Sequence, residues 1–275
     1  MAKTIWASEA VVERIANEAW AEVQLTCPET AAIEDVVTAA IKFFRSPQAI
    51  KDSCQIASSL GYRPYGIEYS RASDRPDDME TFSVTAASST HIFDDPMAND
   101  LNRACAGAFA QLERVAETLI VSLARHVTQR SFEQVLTGGL HRWSTLQINY
   151  SRPSEVRSSF INEEHEDGHF LTLGYATASG LEVRLPSGDY LAVAPARDCA
   201  IAMLGSAAAL MTDGRLRPLF HQVRPPTDCQ ERVSVLFFAD LAPDLCRAWI
   251  VGDTNRHVDI GGYVRANPVR FGLEG

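Results

Sequence analysis

The chain has 275 residues, 46% of them hydrophobic and 22% charged, which bounds it to one large domain or two small ones with a sizeable packed core. A formal net charge of -10 argues against a nucleic-acid partner, which calls for a basic face. The opening "MAKTIWASEA" lacks the long apolar run of a secretory leader, and the most apolar internal run, "CAIAMLGSAAALM", is too short to span a bilayer. The expectation is a cytoplasmic protein without a membrane partner. Its 6 cysteines are scattered with no C-x-x-C pair, so buried thiols are expected rather than a disulfide framework.

In chain order, "SEAVVERIANEAWAEVQL" places apolar residues at three- and four-residue spacing behind Ser8, a candidate N-cap, and predicts a helix. "ETAAIEDVVTAAIKFFRS" repeats the pattern and stops at Pro47. "GYRPYGIEYS" and the polar "RASDRPDDMETFSV" read as turns and short strands. "MANDLNRACAGAFAQLERVAETLIVSLARHV" predicts a third, long helix with Leu101, Cys105, Phe109, Leu112 and Val115 along one core-facing stripe. After about residue 140 the texture changes. "STLQINY" is strand-like, "GLEVRLPSGDYLAV" predicts a hairpin, and "DCAIAMLG", "RPLFHQVRPP" and "ERVSVLFFADL" continue as short strands. The expected fold class is α+β, with a helical N-terminal layer (1–135) on a jelly-roll core (140–245) and a C-terminal extension (246–275), all in one domain.

The stretch "INEEHEDGHF" carries two incompatible metal patterns. His165 to His169 fits H-E-x-x-H, which needs a helix so that residues four apart share a face. His165 and Asp167 fit H-x-D, which needs extended chain, where residues two apart share a face. Gly168 and the strand-like "FLTLGYAT" that follows favour the second pattern. A third ligand should come from a later strand, and His221 in "RPLFHQVRP" qualifies. Two histidines and one carboxylate on one face of a metal leave positions open for a cosubstrate and O2, as non-haem Fe(II) oxygenases require.

Arg232 and Ser234 in "ERVSVLFF" share a strand face, continued by Leu236 and Phe238. An inward guanidinium is costly without an anion, and a guanidinium beside a hydroxyl is a good carboxylate receptor. If the metal site exists, the anion expected there is a small dicarboxylate that also chelates the metal.

With these elements in order, the sequence resembles the isopenicillin N synthase-like branch of the 2-oxoglutarate/Fe(II)-dependent oxygenases. The resemblance runs through "QINY", "EEHEDGHFLTL", "SGLEVRLPSGDYLAVAP", "IAMLGSAAALMTDGRLRPLFHQV" and "ERVSVLFF", with weaker echoes in "GYRPYG" and "DDMETFSV". It implies a double-stranded β-helix in which His165, Asp167 and His221 bind Fe(II). It also implies that Arg232 and Ser234 hold the distal carboxylate of 2-oxoglutarate, and that Asn149 supports this cosubstrate. By the same resemblance Phe238 would contact substrate, with Tyr65, Phe82 and Val84 as further candidates for the substrate wall. Four positions depart from the family's pattern. Ser151 stands where a tyrosine is common, Gln222 follows His221 where arginine is usual, Gly205-Ser206 stands for the usual Gly-Asp, and the Asn-Gly turn after it is Asp213-Gly214.

The expected function is oxidation, chiefly hydroxylation, of a C–H bond of a small molecule, with Fe(II) as cofactor and 2-oxoglutarate and O2 as cosubstrates, in natural-product metabolism. Two other readings stay open. One is an iron oxidase that uses no 2-oxoglutarate, as isopenicillin N synthase does; the other is a jelly-roll binding protein without catalysis. Neither the substrate nor the oligomeric state is legible in the residues.

Overall fold

The computed structural model describes residues 5–57, 60–70, 75–128, 144–152, 159–194, 196–227, 231–241, 259, 262–263 and 266. Almost all of the expected C-terminal extension, with Cys229 and Cys246, lies outside them. No described helix is long and apolar enough to cross a membrane.

The first predicted helix divides in two. α1 (Glu9–Glu18) starts behind Ser8, whose hydroxyl accepts from the Val11 N–H at 3.4 Å, and it ends at Ala19, which turns left-handed at φ 67°. The next residues form a strand, β1 (Trp20–Gln24), in which Trp20, Ala21 and Val23 are buried. α2 (Cys27–Phe44) opens with Pro28 in its first turn and with the Glu29 carboxylate accepting from the Thr26 N–H at 2.9 Å. A short α3 (Gln48–Asp52) precedes β2 (Gln55–Ala57), β3 (Leu60–Arg63) and β4 (Glu80–Thr85). α4 (Pro96–Thr128) is the long helix the periodicity predicts, and its whole predicted stripe from Leu101 to Val115 is buried.

The strands that follow are β5 (Thr145–Ser151), β6 (Asn162–His165), β7 (Leu171–Ala176), β8 (Leu181–Arg184), β9 (Tyr190–Ala192) and β10 (Cys199–Leu204). α5 (Ser206–Met211), β11 (His221–Val223) and β12 (Arg232–Ala239) complete the described elements. They form an eight-stranded sheet in the order β1-β10-β7-β12-β5-β4-β3-β2 and a four-stranded sheet in the order β6-β11-β8-β9. The N-terminal part is therefore not a helical layer alone. It adds β1 at one edge of the large sheet and β4, β3 and β2 at the other.

α2 and α4 cover the back of the large sheet. Phe43 meets Phe82 edge-on at 5.3 Å between ring centroids, Phe44 stacks on Tyr150 at 4.9 Å, and Phe109 meets Phe237 at 5.1 Å. Because side chains alternate along a strand, burying Val233, Val235 and Phe237 against the helices turns Arg232, Ser234, Leu236 and Phe238 to the front. Of the described cysteines, Cys54, Cys105 and Cys199 are buried thiols, whereas Cys27 is exposed at the start of α2, contrary to expectation.

Candidate active site

The front of the large sheet and the facing small sheet enclose a cavity of about 320 Å³. His165, Asp167 and His221 all line it. His165 ends β6 and His221 begins β11, and the two residues are direct cross-strand partners in the small sheet. Their rings lie 4.3 Å apart between centroids. Asp167 follows in the turn after β6, and its Oδ1 is 3.7 Å from His165 Nε2 and 3.9 Å from His221 Nε2. One ligand atom from each residue lies within 4.8 Å of the other two, so a single metal ion can reach all three.

The groups around the triad set the direction of each donor. His165 Nδ1 donates to the Glu163 carbonyl at 2.7 Å, and His221 Nδ1 faces the Leu219 carbonyl at 3.4 Å. A carbonyl only accepts, so both protons sit on Nδ1 and both Nε2 lone pairs face the centre. Thr172 donates to Asp167 Oδ2 at 2.5 Å. Burial works against ionisation of Asp167, but His221, His165 and the Thr172 hydroxyl outweigh it and hold the carboxyl below its usual range. Burial, aided by His165 and opposed by Asp167, takes His221 down to about 4, which keeps it a neutral, ligand-ready imidazole near neutral pH.

The turn carrying Asp167 is clamped from behind. Ser206 N–H donates to the Asp167 carbonyl at 2.8 Å, and Gly205 N–H to the Phe170 carbonyl at 3.2 Å. A Cβ on Gly205 would lie 2.2 Å from the His169 carbonyl oxygen and 2.5 Å from that of Asp167, so this approach requires glycine.

The H-E-x-x-H alternative does not survive. His165 closes a strand and residues 166–170 are not helical. His169 lines the same cavity but is engaged otherwise, with Nδ1 bonded to Asp240 and its ring stacked on Phe238 at 4.5 Å. Extended chain followed by a turn is the H-x-D geometry.

On β12, Arg232 and Ser234 line the same cavity and are hydrogen-bonded to each other, and Arg232 Nε also donates to the Ser179 carbonyl at 3.1 Å. Asn149 on β5 is the register partner of Ser234, and its side-chain oxygen accepts from Gln147 Nε2 at 2.8 Å.

Residues 142–240 match the family model of the 2OG-Fe(II) oxygenase superfamily, and that segment holds the triad, the Arg-Ser pair and Asn149. Over this segment the chain is similar to the 2OG-Fe(II) oxygenase superfamily. Among curated proteins, the gibberellin 2-beta-dioxygenase of Phaseolus coccineus is 26% identical to this chain over 215 residues, 72% of the chain. The alignment spans 63% of that relative's length, under two thirds of it. Two solved structures share the fold. A full-length Neurospora crassa protein in complex with alpha-KG superposes with TM-score 0.72 at 16% identity, covering 85% of this chain and 79% of its own. A rice dioxygenase for auxin oxidation superposes with TM-score 0.71 at 18% identity, covering 97% and 90%. The expected double-stranded β-helix is thus the fold of this chain.

Phe238 lines the cavity, but the other expected substrate contacts do not. Phe82 and Val84 point backward from β4 into the helix-covered core and are fully buried there. Their neighbours Ser83 and Thr85 line the cavity instead. Tyr65 lines an adjoining cleft with Lys51, Glu80 and Arg152. Residues not singled out from the sequence also line the cavity: Gln147 and Thr172 on the large sheet, and Arg63, Glu68, Ser70 and Asp77 from β3 and the loop after it. Gln147 was readable, since it lies two residues before Asn149 on one strand. The loop residues follow no periodicity and offered no such signal.

Proposed function

We propose that this protein is an Fe(II)- and 2-oxoglutarate-dependent dioxygenase that hydroxylates a C–H bond of a small molecule. The observation that carries this reading is one cavity holding both a His-Asp-His donor set and, on the strand beyond it, a buried guanidinium bonded to a serine. The donor set suits Fe(II): two imidazoles and one carboxylate leave open positions for a chelating cosubstrate and O2. When bound, iron with 2-oxoglutarate and O2 supplies the oxidation, in which 2-oxoglutarate goes to succinate and CO2 while substrate C–H becomes C–OH.

His165, Asp167 and His221 hold the metal, and Thr172 fixes the ligating carboxylate. Arg232 and Ser234 anchor the distal carboxylate of 2-oxoglutarate, with Asn149 beside them to support the cosubstrate. Phe238 and Leu236 present an apolar wall to the substrate on the same sheet face. The gibberellin, auxin and alpha-KG named for the relatives support a small-molecule substrate, in keeping with a role in natural-product metabolism. The test is succinate release from 2-oxoglutarate by the iron-loaded protein across a panel of small molecules. Substrate-dependent O2 consumption without succinate would replace this reading with the 2-oxoglutarate-free oxidase.

A further inference from the structure

Among the described residues, several charged groups that line the cavity have a charged partner or a role already assigned. Arg63 Nη1 lies 3.0 Å from Glu68 Oε1, and His169 is bonded to Asp240. Arg232 is the seat assigned above to the cosubstrate carboxylate, and the triad is assigned to the metal. Asp77 is different. It lines the cavity and is 6% exposed, yet its side-chain hydrogen-bond donors are neutral, with His165 the nearby imidazole. Ser70 Oγ donates to its Oδ2 at 2.7 Å and Asn162 Nδ2 donates to the same oxygen at 3.0 Å. No lysine or arginine pairs with it among the described residues, whereas Glu68, the other buried carboxylate of this wall, has its guanidinium.

The place of Asp77 is set by the metal-bearing strand. Asn162 lies on β6 with His165, and the next residue, Asp78, donates its N–H to the Ile161 carbonyl at 3.0 Å. A group bound by Asp77 is therefore held at a fixed offset from the metal ligands. We propose that Asp77 is a specificity-determining residue that reads a protonated amine on the substrate, which would make the substrate class small amines with an apolar body. A buried carboxylate with neutral donors lacks a counter-charge, and an ammonium supplies both the charge and the N–H donors. A substrate carboxylate at that point would meet like charge. Burial pushes the Asp77 carboxyl up from its usual range, against the Ser70 hydrogen bonds, the nearby His165 and the Asn162 hydrogen bond. Leu181, Val193, Leu236 and Phe238 line the same cavity and suit the apolar body.

The inference rests on the oxygenase reading of the cavity, and the test separates the two. Benzylamine, benzyl alcohol and benzoate share one skeleton and differ in the group offered to Asp77. Their affinities for the iron-loaded protein are measured anaerobically by calorimetry, with and without 2-oxoglutarate, alongside titration of 2-oxoglutarate itself. Wild-type protein should prefer benzylamine to benzyl alcohol by on the order of tenfold, since a charge-assisted hydrogen bond exceeds a neutral one by about 1.4 kcal/mol. Asp77→Asn should bring the two within about twofold and leave 2-oxoglutarate affinity unchanged, and Asp77→Glu should retain the preference. A wild-type protein without the amine preference, including one that binds none of the three, overturns the proposal. So does a preference that persists in Asp77→Asn. The wild-type comparison does not depend on any variant folding. An amine preference in a protein that fails to bind 2-oxoglutarate would remove the dioxygenase reading and support the role of Asp77; 2-oxoglutarate binding without that preference does the reverse.

Discussion

Thr172 donates its hydroxyl to Oδ2 of Asp167 at 2.5 Å and so decides that Oδ1 is the oxygen turned toward both imidazoles. Thr172 opens the large-sheet side of the cavity and is fully buried, which makes it a fixed support. Removing such a partner of a metal ligand typically weakens the metal 10- to 100-fold. Thr172→Val, nearly the same shape without the hydroxyl, should lower Fe(II) affinity by about that factor, and Thr172→Ser should keep most of it. Metal titration of the three proteins checks this, and equal affinities would show that Asp167 needs no such support.

The contact of Gly205 with the Asp167 turn makes a second prediction. Gly205→Ala places a methyl group where two backbone oxygens already stand, at 2.2 and 2.5 Å. Neither oxygen belongs to a flexible side chain, so the turn itself must move. The variant should lose roughly 1–3 kcal/mol of stability and bind Fe(II) more weakly. Thermal melting read beside the metal titration tests it; a loss of stability with unchanged metal binding would confine the clash to the fold.

Ligand assignment is tested by four alanine variants. His165→Ala, Asp167→Ala and His221→Ala should each abolish stoichiometric Fe(II), whereas His169→Ala should retain it, because His169 is bonded to Asp240 and stacked on Phe238. Metal content after dialysis is the readout. Loss of iron from His169→Ala alone would reverse the assignment.

Arg232 carries the cosubstrate prediction. Truncating one partner of a buried charge pair costs about 2–5 kcal/mol, so Arg232→Ala should weaken 2-oxoglutarate by roughly 30-fold to several thousandfold. Ser234→Ala should cost less, about 1.5–3 kcal/mol. Fe(II) affinity should change little in either. Calorimetric titration of 2-oxoglutarate decides the matter, and an unaltered constant in Arg232→Ala would move the pair to substrate recognition.

Away from the cavity, Lys51 Nζ and the Tyr62 hydroxyl both donate to one oxygen of Glu80, and the pair is buried at 4% and 2% exposure. Lys51→Met leaves that carboxylate without its cation and should cost about 3–5 kcal/mol by denaturant unfolding. The double variant Lys51→Met, Glu80→Leu should recover much of it, because replacing both charges removes the unpaired ion. A double variant no more stable than the single one would place the loss in packing rather than charge.

What the sequence by itself determined is what depends on neighbours a few residues apart. Arg232, Ser234 and Phe238 are separated by even numbers of residues on one strand, and extended chain places such residues on one face wherever it is packed, while His165 and Asp167 stand two apart with Asp167 in the turn just after β6. The stripe from Leu101 to Val115 was equally legible, since a helix closes its own hydrogen bonds and shows its buried face as a 3.6-residue period. Only the tertiary structure decided which face of a strand looks inward. β4 is covered on both sides, by helices behind and the cavity in front, so period-two spacing separated Phe82 and Val84 from Ser83 and Thr85 without saying which pair met the cavity. The same holds for "WAEVQ", whose apolar spacing suits a helix or a strand. Pairing with β10 across a long stretch of chain made it a strand, and no local pattern encodes that partner. Asp77 and Asn162 lie 85 residues apart and meet only because the loop before β4 crosses β6. Contacts of that range are made by packing and chain topology, and they are where the cavity acquires its polar wall.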